Sequence, residues 1–278
     1  MADGLSRAGR PTFGAWIAKK KPRRATAHWG GRSDPGRIHR TPPVRRTSEH
    51  VLRPSGLTTA AVPWPPAWTT SGVIDVLGPL VADARSRRLR DVIGARLSSV
   101  TVLMDAPHDP HNGAAVMRSS DAFGVQEVHV VPRDEPFAVS TTVTRGSEKW
   151  VDVVEHRSVA DAVRALHARG FELVRTHPQG DLVPEDLAGI ERCTLVLGNE
   201  HDGIRDELEA AASRSVRVPM RGFTESLNLS VSAGILLAAA TAGRPGDLDE
   251  GSRERLYARG LYRTVPRAAA ILAASTPR

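Results

Sequence analysis

Three loops that follow predicted strands carry the polar residues best suited to chemistry. The first spans residues 105–112 and leads into a helix on which Arg118 lies six positions after Asn112. The second, GNEHDGI, begins at Gly198, and the third, PMRGFTESLN, begins at Pro219. Ligands of open α/β sheets bind beyond the carboxyl ends of the strands, so these loops form the candidate site.

Taken singly, each loop also has an ordinary structural explanation. A glycine-rich turn between strand and helix is common. An acidic residue before a helix, such as Glu200, interacts favourably with the positive end of the helix dipole. Ser226 is a typical N-cap before an apolar helix. His108 and His111 have a short HxxH spacing without a nearby cysteine, which favours loop residues over a metal site. The three loops in this order are far more specific than any one alone.

Short β-rich runs alternate with helical stretches, which predicts an α/β fold with a mostly parallel sheet flanked by helices. The predicted strands are 99–104, 127–131, 171–175, 194–197 and 215–218. The predicted helices are 73–97, 114–123, 159–169, 204–212, 227–242, 252–259 and 265–274.

The first 72 residues differ from the rest in charge and proline content. They hold 13 Lys and Arg against three acidic residues and nine of the 20 prolines, whereas residues 73–278 carry 25 basic and 28 acidic residues. We predict a disordered tail over 1–72, an Arg-rich helical extension over 73–98, the α/β domain over 99–243 and a C-terminal helical extension over 244–278. The tail is either a basic arm that attracts RNA, or a disordered leader or an over-long translational start, and its composition favours the second interpretation.

The composition excludes several classes of protein. The single cysteine, Cys193, excludes an internal disulfide framework and a multi-cysteine zinc site. No apolar run approaches the roughly 18 to 20 residues of a membrane-spanning helix. We therefore expect a cytoplasmic protein without a membrane partner. No G-x-G-x-x-G occurs, so a Rossmann-type nucleotide site is not expected.

Together, the loops resemble the motifs of the SpoU/TrmH family of SPOUT RNA ribose 2′-O-methyltransferases. Asn112 and Arg118 match the first motif. The second, G-x-E-x-x-G, and the third, P-M-x-G-x-x-x-S-L-N, are matched by Gly198, Glu200, Gly203, Pro219, Met220, Gly222, Ser226, Leu227 and Asn228. The resemblance covers roughly residues 73–275. The GSEKW segment at 146–150 and the Arg-rich helix are similar to the subfamily that methylates guanosine 18 of tRNA.

The resemblance implies a deep trefoil knot in the C-terminal half of the sheet and a homodimer whose site is completed at the interface. It also implies S-adenosylmethionine as the methyl donor, with no metal. The catalytic roles fall on Arg118, Asn112, Glu200, Ser226 and Asn228. The cofactor contacts fall on Gly198, Val218, Leu227, Gly203, Met220, Gly222, Thr176 and Pro178. Because guanidinium stays protonated, we expect Arg118 to stabilise the developing oxyanion while the proton passes to a phosphate, water or carboxylate.

The implied substrate is tRNA, and a ribose 2′-OH target excludes DNA. A 23S rRNA substrate and a catalytically silent RNA-binding module are the alternatives. We expect RNA contacts from six basic residues, although a solvated helix face would have the same composition. These residues are Arg85, Arg87, Arg88, Arg90, Arg145 and Lys149. Trp150 suits either stacking on a base or core packing.

Overall fold

The computed structural model describes residues 62–133, 137–199 and 202–277, together with the backbone of residues 51–52. The strands are β1 (Val51–Leu52), β2 (Val100–Asp105), β3 (Glu127–Val131), β4 (Val139–Ser140), β5 (Asp152–Glu155), β6 (Glu172–Thr176), β7 (Cys193–Leu197) and β8 (Arg214–Val216). The helices are α1 (Thr70–Leu77), α2 (Asp83–Gly94), α3 (Pro110–Ala122), α4 (Thr141–Thr144), α5 (Val159–Ala168), α6 (Asp206–Ala211), α7 (Leu229–Ala240), α8 (Glu250–Thr264) and α9 (Ala268–Ala273).

Six strands form one parallel sheet in the order β5-β3-β2-β7-β6-β8. At its centre, Val102 of β2 pairs with Val128 on one side and with Leu195 on the other. Every residue of β2 and β7 is buried, since helices cover both faces of the sheet. The predicted mostly parallel α/β sheet is therefore confirmed. β1 and β4 form a separate antiparallel pair.

Alternate side chains of β2 divide the core into two layers, as the period of two in a strand requires. Val102 and Met104 belong to the cluster that includes residues of α3 and α7, whereas Leu103 belongs to the cluster that includes residues of α5 and α6. Residues of α3 and α7 thus pack on one face of the sheet and residues of α5 and α6 on the other. No helix in the described part of the chain is long and apolar enough to cross a membrane.

The single helix predicted over 73–97 is wrong, because the structure divides it into α1 and α2. A 3-10 turn from Gly78 to Leu80 separates them. Pro79 lacks a backbone N–H and fixes its own φ, so a continuous helix would lose a hydrogen bond there. The apolar spacing continued across the break because residues of both helices pack in one cluster with α8 and α9.

The packed part of the chain also begins earlier than residue 73. Trp64 and Trp68, which lie in the predicted tail, are only 4% and 6% exposed. Both belong to the core cluster that residues of α1, α2, α8 and α9 form. The indole N–H of Trp64 donates to the carbonyl of Trp68 at 3.2 Å. The boundary predicted at residue 72 is therefore wrong for residues 62–72. The remainder of the predicted tail lies outside the described residues, apart from the backbone of β1.

Two buried histidines join β3 to the end of β5. Nδ1 of His129 lies 2.9 Å from Nε2 of His156, and their rings stack with centroids 5.1 Å apart. Burial and the neighbouring His129 lower the pKa of His156 from 6.5 to about 4. His156 is therefore neutral in the folded protein at pH 7, and folding disfavours its protonation.

This shift predicts an acid-sensitive fold. The unfolded chain binds a proton at His156 below about pH 6.5 and the folded chain does so only near pH 4, so stability falls as pH decreases between these values. We expect the free energy of unfolding to fall by about 2 kcal/mol from pH 7 to pH 5 through this group, measured by urea denaturation. His156→Gln should remove that part of the slope, whereas a matched change of exposed His167 to Gln should retain it. Equal slopes in the wild type and His156→Gln would contradict the prediction.

Candidate active site

A cavity of about 690 Å³ opens beyond the carboxyl ends of β6, β7 and β8. Its walls come from Thr176 at the end of β6, Gly198 after β7, Val216 at the end of β8, and the segment that leads into α7. The volume lies within the range of small-molecule sites. Two of the three loops identified in the sequence, which follow β7 and β8, therefore share one cavity.

Backbone hydrogen bonds join the two ends of the 198–203 loop. The backbone N–H of Asn199 donates to the Gly203 carbonyl at 3.0 Å, and the N–H of Gly203 donates back to the Asn199 carbonyl at 3.2 Å. Gly203 has a φ of +74°, which favours glycine. An ideal Cβ at Gly198 would lie 2.4 Å from the Gly203 carbonyl carbon, so only glycine fits there. Glu200, predicted to be catalytic, lies outside the described residues.

A hydrogen bond links the third loop to the first. Nδ2 of Asn228 donates to Oδ1 of Asn112 at 3.2 Å, and Asn228 lines the cavity. Asn228 also caps α7, because its Oδ1 accepts from the backbone N–H of Ser230 at 2.8 Å. The alternative in which Ser226 caps this helix is therefore wrong. Ser226 instead lines the cavity.

Arg118 lies on α3, which packs against α7, and it is exposed. It does not line the cavity of a single chain, and among the described residues it forms no ion pair or hydrogen bond. Asn112, on the same helix, is buried. The structure thus brings Asn112, Ser226 and Asn228 together and leaves Arg118 facing outward.

Seven of the eight residues predicted to contact the cofactor line the cavity. They are Gly198, Val218, Leu227, Gly203, Met220, Thr176 and Pro178. The structure leaves Gly222 outside the lining, on an exposed stretch where the nearest atom to an added Cβ is the Thr224 nitrogen at 4.0 Å. The structure therefore shows no contact of Gly222 with the cavity.

The cavity is acidic, a feature that the motifs did not reveal. Asp202, Asp206, Glu209 and Glu225 line it, and Arg175 is its one arginine or lysine among the described residues. Arg175 forms an ion pair with Glu209. The walls therefore favour a ligand with positive charge. Two of these acids, Asp202 and Glu225, directly adjoin motif residues in the sequence, and this was the signal available there.

The six basic residues proposed to contact RNA are all exposed: Arg85, Arg87, Arg88, Arg90, Arg145 and Lys149. The Arg90 side chain also has a partner within the protein, because its guanidinium lies over the Tyr257 ring at 3.9 Å from the centroid. The hydroxyl of Tyr257 in turn lies 2.6 Å from Oγ of Ser86. Arg90 therefore also holds α2 against α8.

His108 and His111 belong to no group of three or more metal-ligating side chains among the described residues. Nδ1 of His111 lies 3.2 Å from the Asp109 carboxylate, and Asp109 caps α3. Trp150 is half-buried and lies close to Gly260 of α8, which supports the packing interpretation.

Fold and cavity define an α/β protein with a cavity at the carboxyl edge of a parallel sheet. The cavity lies between the 198–203 loop and the start of α7, the last helix that packs on the sheet. The model of the SpoU rRNA Methylase family matches residues 99–238. The chain belongs to this family, which confirms the resemblance seen in the motifs.

Individual relatives agree with this assignment. The tRNA (guanosine(18)-2′-O)-methyltransferase of Escherichia coli K12 is 32% identical over 195 residues, which cover 66% of this chain and 85% of the relative. The enzyme of the same name from Thermus thermophilus is 35% identical over 181 residues, 65% of this chain and 87% of the relative. The crystal structure of the A. aeolicus TrmH/SpoU tRNA modifying enzyme is 28% identical, has a TM-score of 0.59, and is similar over 66% of this chain and 98% of that one.

Proposed function

We propose that this protein transfers a methyl group from S-adenosylmethionine to a ribose 2′-OH of RNA, and that its substrate is guanosine 18 of tRNA. Membership of the family and the names of the two relatives support the reaction and the substrate. One observation carries the proposal: a single cavity is lined by seven residues predicted for the cofactor and is hydrogen-bonded, through Asn228 and Asn112, to the helix of Arg118.

The cavity suits S-adenosylmethionine in charge and in shape. The cofactor carries a positive sulfonium and a positive ammonium group, and the acidic walls complement both. Leu227, Val218 and Leu236 offer apolar surface for the adenine. A Cβ at Gly203 would meet nothing within 4 Å, which leaves room for a ligand there, whereas Gly198 allows the backbone of Gly203 to pack closely against it. When bound, the cofactor supplies a methyl group that is activated by its positive sulfur, so the reaction requires no metal.

The chain's own residues then have to position and activate the hydroxyl. Arg118 lowers the pKa of the 2′-OH and stabilises the oxyanion that forms, and it does not accept the proton because guanidinium stays protonated. Asn112 and Asn228 orient the ribose and the start of α7 through their shared hydrogen bond. Ser226 and Glu200 complete this set as further orienting groups. The proton leaves to an RNA phosphate, water or a carboxylate.

We further propose a homodimer in which Arg118 serves the cavity of a second copy. Two features support it: Arg118 is exposed away from its own cavity, and apolar side chains are exposed on α7 and beside the cavity. Val231 and Ile235 of α7 are 49% and 38% exposed, and Phe223 is fully exposed. Isologous pairing would bury such a patch twice, once from each copy.

A trefoil knot in the C-terminal half is part of the same proposal. It is supported by the close contact between the segment after β6 and β8. A Cβ at Gly180 would lie 2.5 Å from the Val216 carbonyl carbon, and Leu182 forms a parallel bridge with Val216. The chain after β6 therefore lies directly against the strand that leads into the cavity segment.

RNA contacts are proposed for Arg85, Arg87, Arg88, Arg90, Arg145 and Lys149, supported by their exposure. We place the reaction in the cytoplasm, with its tRNA substrate. A 23S rRNA substrate remains the second candidate, because the matching family is described as rRNA methylases. A catalytically silent RNA-binding module is disfavoured by the motif residues, which the chain retains from Asn112 to Asn228.

Incubation with labelled S-adenosylmethionine and total RNA from a strain that lacks the enzyme tests this function. We expect label in tRNA, at the 2′-O position of guanosine 18, by primer extension or mass spectrometry. Label confined to 23S rRNA would support the second candidate and contradict the tRNA assignment. Calorimetry with S-adenosylmethionine distinguishes the enzyme from a catalytically silent module, because the silent module would not bind the cofactor.

A further inference from the structure

A buried carboxylate at the end of β2 is held by one arginine that follows the 198–203 loop. The side chain of Asp105 is 0% exposed. Its oxygens accept the backbone N–H of Arg205 at 2.7 Å and Nε of Arg205 at 2.6 Å, and Nη2 completes the ion pair. A buried carboxylate is costly to desolvate, and these donors offset the cost.

Arg205 follows the 198–203 loop by two residues. Because two backbone bonds join Asn199 to Gly203, a displacement of Arg205 would act through Gly203 on Asn199 as well. Nη2 of Arg205 also donates to the carbonyl of Val131, the last residue of β3, at 3.2 Å. The arginine therefore ties the 198–203 loop to the ends of two neighbouring strands.

Asp105 precedes the loop that leads to Asn112 and Arg118. The next residue, Ala106, has a φ of +46° and donates its N–H to the carbonyl of Val131 at 2.9 Å. A left-handed alanine costs energy and persists where its surroundings fix it. Both loops are thus fixed to the ends of β2 and β3. The loop leading to Asn112 is fixed through Asp105 and Ala106, and the 198–203 loop through Arg205.

We propose that Asp105 and Arg205 are positioning residues that fix the 198–203 loop relative to the loop leading to Asn112 and Arg118. The inference rests on the proposed function, which assigns the 198–203 loop to the methyl donor and the loop leading to Asn112 and Arg118 to the acceptor. Neither residue lines the cavity, so the pair acts through the loops. A misplacement of reacting groups by 1 Å is enough to slow a reaction about a hundredfold.

Calorimetric titration of the full chain with S-adenosylmethionine tests the pair. Arg205→Ala should raise the Kd about tenfold and lower kcat at saturating cofactor by about the same factor, with the KM for RNA unchanged. The fraction of chains that bind should stay at the wild-type value. If the pair only stabilised the fold, a smaller fraction of Arg205→Ala chains would bind, and the Kd of those chains would be unchanged. Arg205→Lys, which keeps the charge and one donor, should recover part of the affinity.

The matched control is Arg133→Ala. Arg133 pairs with Asp202 of the same loop at 2.9 Å, but both side chains are exposed, by 37% and 56%. Such pairs contribute little, so this variant should bind like the wild type. An unchanged Kd in Arg205→Ala, or an equal loss in Arg133→Ala, would overturn the inference.

If Arg205→Ala does not fold, Asp105→Asn and Arg205→Lys provide the same test, and a wild-type Kd in both would overturn it. Failure of the wild-type chain to bind S-adenosylmethionine would instead overturn the proposed function, and this inference with it.

Discussion

Replacement of Arg118 by alanine should lower kcat for methyl transfer about a thousandfold while leaving the Kd for S-adenosylmethionine unchanged. The loss follows from removing the cation that stabilises the oxyanion, a contribution worth about 3 to 4 kcal/mol in comparable sites. The unchanged Kd follows from the proposed role, because Arg118 acts on the ribose 2′-OH of the RNA and not on the methyl donor. Its exposure also means that the substitution should leave folding intact.

Single-turnover rates on tRNA together with calorimetry measure both quantities. Arg164→Ala is the matched control, since Arg164 is an exposed arginine on α5 whose partner Asp161 lies three positions away in the same helix. It should retain wild-type rates. Arg118→Lys keeps a charge without the planar fork of donors and should give an intermediate rate. A kcat near the wild-type value in Arg118→Ala would contradict the proposed role.

Co-expression of two impaired variants, assayed at a cofactor concentration well below the Kd of Gly198→Ala, distinguishes the two possible positions of Arg118. If Arg118 serves the cavity of a second copy, a dimer of Arg118→Ala with Gly198→Ala holds one complete site. Random pairing should then restore about a quarter of the wild-type activity. If Arg118 serves its own cavity, the mixture should stay inactive, which would contradict the proposed arrangement.

The five strands predicted from the sequence lie within two residues of their observed bounds because the sequence marks buried parallel strands clearly. β7, for example, is fully buried and reads as an apolar run bounded by turn residues. β5 was missed because it is an edge strand whose four residues are all half-buried. The break at Pro79 was missed because the apolar spacing continued from α1 into α2, whose residues share one cluster.

The candidate site was predictable where its residues form contiguous motifs, and unpredictable where it depends on the order of strands. Gly198, Leu227 and Asn228 could be assigned to one site before the structure, since each belongs to a loop after a predicted strand. The ion pair of Asp105 with Arg205 spans 100 residues and exists because β2 and β7 are neighbours, which no local pattern records. The outward direction of Arg118 likewise depends on how α3 packs.

Gly198→Ala should weaken S-adenosylmethionine binding at least about thirtyfold, equivalent to about 2 kcal/mol of overpacking. The added Cβ would lie 2.4 Å from the carbonyl carbon and 2.5 Å from the carbonyl oxygen of Gly203, and 2.7 Å from the nitrogen of Ile204. All three are backbone atoms, so no side chain can rotate away. The 198–203 loop has to open, and it forms one wall of the cavity.

Gly189→Ala is the matched control for this glycine. Gly189 ends a 3-10 helix, and nothing lies within 4 Å of an ideal Cβ there. This variant should bind the cofactor like the wild type. Calorimetry gives the Kd of both variants, and thermal unfolding shows whether each is folded at the temperature used. A folded Gly198→Ala chain with a wild-type Kd would contradict the prediction, because the cofactor would then not depend on the closed form of the loop.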